Sequence, residues 1–246
     1  MWPAGYDRIV LDEVDSTMAE ARRRAADLAG PTWILARNQT AATGRRGRAW
    51  VNPQGNFAAT LFLRPECNAQ DAALRSFTAA YALYQTLAMS ARGHGLTLKW
   101  PNDVLLNGGK VAGILLESSG KGDRVDWVSI GIGVNLVSAP DASEVEPGAV
   151  RPVSLKGETG QTVAPEAFLD FLAGHFASLE GLFQEFGFDP IRRLWLRKAA
   201  RLGEVITART PRNEITGTFE TVDATGQLVL RTPKGQVQIS AADVYF

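Results

Sequence analysis

Three arginines, Arg45, Arg46 and Arg48, stand among glycines in the stretch ATGRRGRAW at residues 42–50, which ends on Trp50. Glycines let a backbone approach a ligand and turn its N–H groups inward, and guanidinium groups make bidentate, charge-assisted bonds to phosphate or carboxylate. Such a loop suits a small anion. A merely solvated loop is the bland alternative. A nucleic-acid contact is a third reading, but no basic helix or aromatic-studded sheet accompanies the loop. The 26 basic and 26 acidic side chains also cancel, leaving no overall field to gather a polyanion.

Two other glycine-rich stretches resemble phosphate motifs only in part. NGGKVAG, around Lys110, lacks the four-residue spacer and the hydroxyl residue that a P-loop needs. GIGVNL at 131–136 puts Leu136 where a dinucleotide fingerprint needs its third glycine, and no helical pattern follows. The chemistry then rests on the arginine loop, on KWPNDVLLNGGKVAGILLE at 99–117, and on Asn135.

The elements that must position these residues follow from periodicity. DRIVLDEV reads as a strand, and Asp15-Ser16-Thr17 caps a helical pattern that runs to the stop Gly30-Pro31. TWILARNQ and NFAATLFL are strands flanking the arginine loop, and residues 70–92 form a long helix. From residue 96 several strands follow with no helix between them, Asn107-Gly108-Gly109 marking a hairpin. That pattern implies α/β (α+β) architecture with a mixed sheet and helices mainly on one side, not a doubly wound sheet. Residues 137–164, with Pro140, Pro147 and Pro152, read as a long loop over the sheet. Helices resume at Pro165 and break near Gly187–Pro190. Beyond residue 202, short strands separated by TPRN, DATG and TPKG predict a small barrel, dividing the chain into residues 1–201 and 202–246.

Bulk properties bound the rest. Hydrophobic residues make up 45% and charged residues 21%, as in a soluble globular protein. No apolar run reaches the roughly 18 residues that cross a bilayer, and the N-terminus lacks a signal-peptide layout, which predicts a cytoplasmic protein with no membrane partner. Cys67 is the only cysteine, so it forms no intrachain disulfide and is read as a packing residue or a free thiol at a strand end. With only His94 and His175 besides, no protein-borne metal site is expected.

The combination GRRGRAW, KWPNDVLLNGGKVAGILLE and GIGVNL strongly resembles the biotin protein ligases, over essentially the whole chain. The resemblance implies a class II tRNA-synthetase-like biotin/lipoate ligase catalytic domain followed by a Src-homology-3-like β-barrel. It also implies a reaction: biotin is activated with ATP, with magnesium expected, to biotinyl-5'-AMP. The biotinyl group then passes to a lysine of a biotin carboxyl carrier protein of acetyl-CoA carboxylase or a related carboxylase. No helix-turn-helix module precedes the first strand, so no nucleic-acid partner is expected, and the protein is read as a monomer or homodimer. A lipoate or octanoate ligase or transferase of the same fold, and a non-enzymatic ligand-binding regulator, are the rival readings.

The resemblance also assigns roles. Arg45 and Arg48, with Gly44 beside them, neutralise the phosphate and carboxylate; Lys110 is the central cation. Ser16, Thr17, Gln39 and the Gly113 backbone face biotin, Trp50 stacks on the adenine and Asn135 reads its edge. Asp103 orients or helps deprotonate the carrier lysine. Taken singly, these residues have plainer readings: Ser16 or Thr17 a helix cap, Gln39 a polar strand end, Lys110 a hairpin-edge lysine, Trp50 a sheet-packed ring, Asp103 a turn cap. The chain departs from the family's Gly-Arg-Gly-Arg pattern, with Thr43 in the place of an arginine.

Overall fold

A computed structural model describes residues 2–141, 144–145, 148–210 and 213–245. Its larger unit is a seven-stranded sheet built from β1 (Asp7–Val14), β2 (Thr32–Gln39), β3 (Phe57–Leu63), β4 (Leu96–Lys99), β5 (Asp103–Leu106), β6 (Gly109–Lys121) and β7 (Arg124–Val134). The strand order is β1-β2-β3-β7-β6-β5-β4. Only the β1–β2 pair is parallel; its crossover carries α1 (Thr17–Arg23), and every other neighbouring pair is antiparallel. The sheet is therefore mixed, as the sequence implies.

Alternation along the central strands sorts the two faces. Phe57, Ala59, Leu61 and Leu63 of β3, with Trp33 and Leu35 of β2, belong to the main core, which includes residues of α2 (Ala69–Ser90) and α4 (Pro165–Phe186). Phe62 and Ile34, the intervening residues, pack with Ala21 of α1 on the other face. Because β3 is buried on both sides, its sequence FAATLFL reads as a continuous apolar run. Each fully buried large side chain there contributes about 1.5–3 kcal/mol relative to exposure. The face with α1 is covered only in part, and the cavity described below opens on it.

Local signals set the helix ends. The Asn68 side chain accepts the Asp71 N–H at 2.8 Å to start α2, and Pro165 takes the first turn of α4. Gly187, at φ 73°, ends α4 and lets α5 (Phe188–Leu196) begin at a new angle. Two elements differ from expectation. Regular helix in α1 ends at Arg23 and gives way to turns, where the Arg64 guanidinium binds the carbonyls of Ala25 and Leu28. The segment read as one long loop contains α3 (Leu155–Thr159), whose N-cap Ser154 accepts the Gly157 N–H at 3.1 Å; five residues are too few to register as periodicity. Pro147 lies outside the described residues.

The C-terminal strands β8 (Val205–Arg209), β9 (Glu214–Val222), β10 (Leu228–Thr232), β11 (Gly235–Ile239) and β12 (Asp243–Tyr245) form a second, antiparallel sheet in the order β11-β10-β9-β8-β12. It packs on the first unit through the DATG turn. The Trp100 indole donates to the Gly226 carbonyl at 3.1 Å. A Cβ on Gly226, at φ 82°, would lie 2.9 Å from Leu74 of α2.

Candidate functional site

The loop between β2 and β3 closes as a small hairpin. The Trp50 N–H bonds the Ala42 carbonyl at 2.9 Å, the Gly44 N–H bonds the Arg48 carbonyl at 2.7 Å, and Thr43 bridges Ala49. Its tip, Arg45–Gly47, is one 3-10 turn in which Arg46 takes φ 57° and Gly47 φ 72°. A left-handed residue at the tip turns neighbouring side chains apart. Arg45 and Arg48 line a cavity of about 460 Å³, whereas Arg46 faces the second sheet.

The same cavity is lined by every residue to which the family resemblance gives a role. Ser16 and Thr17 come from the start of α1, Gln39 from the end of β2, and Gly44, Arg45, Arg48 and Trp50 from the hairpin. Asp103, Lys110, Gly113 and Asn135 come from the β5–β6–β7 side. Near β3 lies a polar relay: the Thr60 hydroxyl donates to Thr17 Oγ1 at 2.8 Å, and the Thr17 hydroxyl donates to Gln39 Oε1 at 3.1 Å. The Thr17 N–H donates to the same Gln39 oxygen at 2.7 Å. Gln39 thus has its carbonyl saturated and its amide donors directed elsewhere. Ser16 occupies the N-cap position of α1, yet its hydroxyl makes no capping bond. Capping therefore does not account for Ser16, and the hydroxyl remains available at the cavity wall.

Across the sheet stands a charge cluster. Lys110 Nζ lies 2.7 Å from Asp103 Oδ1, and Lys99 Nζ lies 3.7 Å from Oδ2. Burial opposes the Asp103 charge, but Lys110, Lys99 and Arg45 outweigh it and hold the carboxyl below the usual carboxylate range. Burial pulls Lys99 below its ordinary value despite Asp103, with Lys110 acting in the same direction as burial. A carboxylate so held is a poor proton acceptor. Asp103 is thus placed to hold Lys110.

The Trp50 indole lines the same cavity beside this cluster. It rests on two glycines in register, Gly113 of β6 and Gly133 of β7; a Cβ on Gly133 would lie 2.5 Å from the ring and one on Gly113 3.3 Å. Lys110 Nζ is 5.6 Å from the ring centroid, within cation–π reach. In the same strand, a Cβ on Gly131 would meet Met18 at 2.8 Å. The glycines of GIGVNL are therefore clearances for side chains. Gly133→Ala is expected to displace the indole, seen as a shift in tryptophan emission together with loss of activity; unchanged emission and activity would contradict this account. Asn135, 3% exposed, donates to the Val153 carbonyl at 3.0 Å and leaves Oδ1 without a partner among the described residues. A buried acceptor in that position invites a ligand N–H.

Sequence reasoning did not find Asp243, Thr60 or Asn102. Asp243, on β12, lies 2.7 Å from Arg46, 3.0 Å from Arg48 and 3.9 Å from Arg45. Burial would raise its pKa, but the bond from Arg48 and the charges of all three arginines keep it low. Asn102 accepts from Arg45 at 3.4 Å and donates to the Ile114 carbonyl. AADVYF carries no motif, and Thr60 is marked only by being a hydroxyl in an apolar strand. Among the described residues, no group of three His, Cys, Asp or Glu side chains is placed to hold a metal.

An α/β sheet whose open face gathers cations at one end and neutral hydrogen-bonding groups at the other is suited to an anionic group beside an uncharged polar one. Residues 10–135 match the biotin/lipoate A/B protein ligase family, and residues 202–246 match the biotin protein ligase C-terminal domain. The chain is 57% identical to a biotin–[acetyl-CoA-carboxylase] ligase of Paracoccus denitrificans over 96% of its own length and 99% of that protein's. It is 33% identical to the bifunctional ligase/repressor BirA of Bacillus subtilis over 98% of this chain and 74% of that one. The fold matches a biotin protein ligase from Aquifex aeolicus solved with biotin and ATP, at TM-score 0.81 and 24% identity, covering 97% of this chain and 98% of that one. The chain belongs to the biotin/lipoate A/B protein ligase family, and within it to the biotin protein ligases.

Proposed function

We propose that the protein activates biotin with ATP and transfers it to a carrier lysine through the residues of this cavity. In the first half-reaction a biotin carboxylate oxygen attacks the α-phosphorus of ATP. A new P–O bond forms, the bond to the β-phosphate breaks and pyrophosphate leaves. In the second, the neutral amine of a carrier lysine attacks the acyl carbon. A C–N bond forms, AMP departs with the carboxyl oxygen, and the proton lost from the amine passes to solvent. The main obstacle in the first step is repulsion between two anions, which fixed positive charge in a water-poor site relieves.

The observation that carries the reading is the convergence on one cavity wall of Lys110, braced by Asp103, with Arg45 and Arg48 of the hairpin. On this reading Lys110 bridges the reacting carboxylate and α-phosphate, and Arg45 and Arg48 neutralise the phosphate. Ser16, Thr17 and Gln39 hold the ureido end of biotin, and the Gly113 backbone lies along it. Trp50 stacks on the adenine, and Asn135 Oδ1 accepts from its amino group. Asp103 orients Lys110 and the incoming amine. Magnesium would accompany ATP and offset its phosphate charge; of the carboxylates lining the cavity, Asp103 and Asp243 are held by lysines and arginines, and Glu144 accepts the Asp141 N–H. The carrier is the biotin carboxyl carrier protein of acetyl-CoA carboxylase or a related carboxylase, met in the cytoplasm by a monomer or homodimer that engages neither nucleic acid nor membrane. Residues 1–201 act as the catalytic domain and 202–246 as an accessory barrel. No helix among the described residues is long and apolar enough to cross a membrane.

The test is ATP–pyrophosphate exchange followed by transfer of labelled biotin to a carrier domain. Exchange with biotin but not with lipoate or octanoate supports the reading; exchange with lipoate alone, or with neither acid, overturns it. Thr43 bears on the same intermediate. A threonine offers no guanidinium to the adenylate, so Thr43→Arg is expected to slow adenylate release; a variant that releases it as fast as the natural chain would show that the arginine's absence has no consequence.

A further inference from the structure

Asp243 stands apart from the other carboxylates among the described residues: one group, 16% exposed at its side chain, takes the guanidinium groups of all three loop arginines, and it belongs to the C-terminal sheet. We infer that Arg46 and Asp243 form a tether by which the C-terminal sheet holds the arginine hairpin shut over the cavity, and that retention of the acyl-adenylate depends on it. The inference rests on the adenylating function proposed above.

The geometry divides the arginines by task. Arg45 and Arg48 line the cavity, where an anion can recruit them; Arg46 does not, and its Nη1 lies 2.7 Å from Asp243 Oδ2. The left-handed backbone at Arg46, φ 57°, is sparsely populated by residues other than glycine and turns this side chain toward the second sheet. Without an anion, Asp243 also offsets the mutual repulsion of three guanidinium groups on one short turn. When a phosphate draws on Arg45 and Arg48, the Arg46–Asp243 bond is the one that need not be surrendered. The tether therefore spans both states. The same strand reaches a second cavity wall, because the Tyr245 ring lies 3.5 Å from the position a Cβ on Gly148 would occupy. Arg46 and Asp243 are thus positioning residues, acting through the hairpin that carries Arg45 and Arg48.

The experiment uses the full chain and the variants Arg46→Gln, Asp243→Asn and the charge-swapped pair Arg46→Asp with Asp243→Arg. Adenylate is formed from labelled biotin and ATP, freed of excess ligand, and its release is followed in time. Loss of one partly exposed charge-assisted bond should speed release roughly five- to tenfold in Arg46→Gln, and at least as much in Asp243→Asn, which also weakens the Arg48 pairing. Biotin affinity measured without ATP should be unchanged, and the swapped pair should recover most of the retention. Wild-type release from Arg46→Gln, or a swapped pair no better than either single variant, overturns the tether. Tryptic cleavage of the hairpin without ligand gives a second readout. Cutting after Arg45 or Arg48 should quicken in Arg46→Gln at an unchanged melting temperature, and an unchanged cutting rate counts against the tether. If the natural chain makes no adenylate, the proposed reaction fails, while the cleavage comparison still decides whether the tether exists.

Discussion

Lys110→Ala is expected to lower biotin-dependent pyrophosphate exchange by at least about a hundredfold at saturating biotin, corresponding to roughly 3 kcal/mol for one preorganised donor aimed at developing charge. The geometry gives this residue more than its own charge. Its ammonium sits 2.7 Å from Asp103 and 5.6 Å from the centroid of Trp50, so its loss releases both neighbours. Asp103, 13% exposed at its side chain, would keep Lys99 at 3.7 Å but lose its close partner. Its pKa should rise, because the largest charge opposing burial would be gone. Lys110→Arg should not restore the rate, since a planar fork does not substitute for a point charge between two oxygens. Biotin binding measured by calorimetry separates a catalytic defect from misfolding: retained affinity with lost exchange is the expected pair of results. Near-normal exchange in Lys110→Ala would dismiss the central cation and the roles built around it.

The site was legible in the sequence wherever chemistry needed a cluster in one stretch. Arg45, Arg48 and Trp50 fall within one short hairpin, and Asp103 and Lys110 are joined by the two-residue turn Asn107–Gly108, whose φ values of 50° and 80° suit Asn and Gly. What stayed hidden is long-range. Asp243 meets Arg46 across 197 positions, and Thr60 meets Thr17 across 43. No local pattern encodes such a meeting, because it depends on how the second sheet and the central strand pack. GIGVNL illustrates the limit from the other side. Its glycines suggest a phosphate turn, yet Gly131 and Gly133 are strand residues whose missing side chains make room for Met18 and Trp50.

The fold was legible for a related reason. Strand and helix periods report which side of an element is buried, and in β2 and β3 the alternating residues do separate between two cores. Short or truncated pieces carried no such period. α3 has five residues, and α1 loses its regular helix after Arg23, where Arg64 takes up the carbonyls of Ala25 and Leu28 from a distant strand end. Tertiary contacts decided both.

A pair that no periodicity reveals should matter most for stability. Arg75 of α2 and Glu180 of α4 are 2.8 Å apart with side chains 5% exposed, and Arg75 also packs over the Phe183 ring at 4.9 Å. Removing one partner strands the other charge, so Glu180→Ala should cost about 3–5 kcal/mol in urea unfolding, whereas replacing both by apolar residues of similar volume should be nearly neutral. Equal losses in the single and double variants would show that the helix packing, not the stranded charge, sets the cost. The same pair reaches Tyr6, whose pKa is raised to about 12 by burial first and by Glu180 second, against Arg75. The phenol is neutral when protonated, so its contribution to stability is complete below pH 10, the unfolded value, and is lost as the pH rises toward 12. Glu180→Gln removes the repelling carboxylate while leaving Arg75, so Tyr6 should ionise at lower pH in an alkaline absorbance titration. An unmoved titration would assign the shift to burial alone.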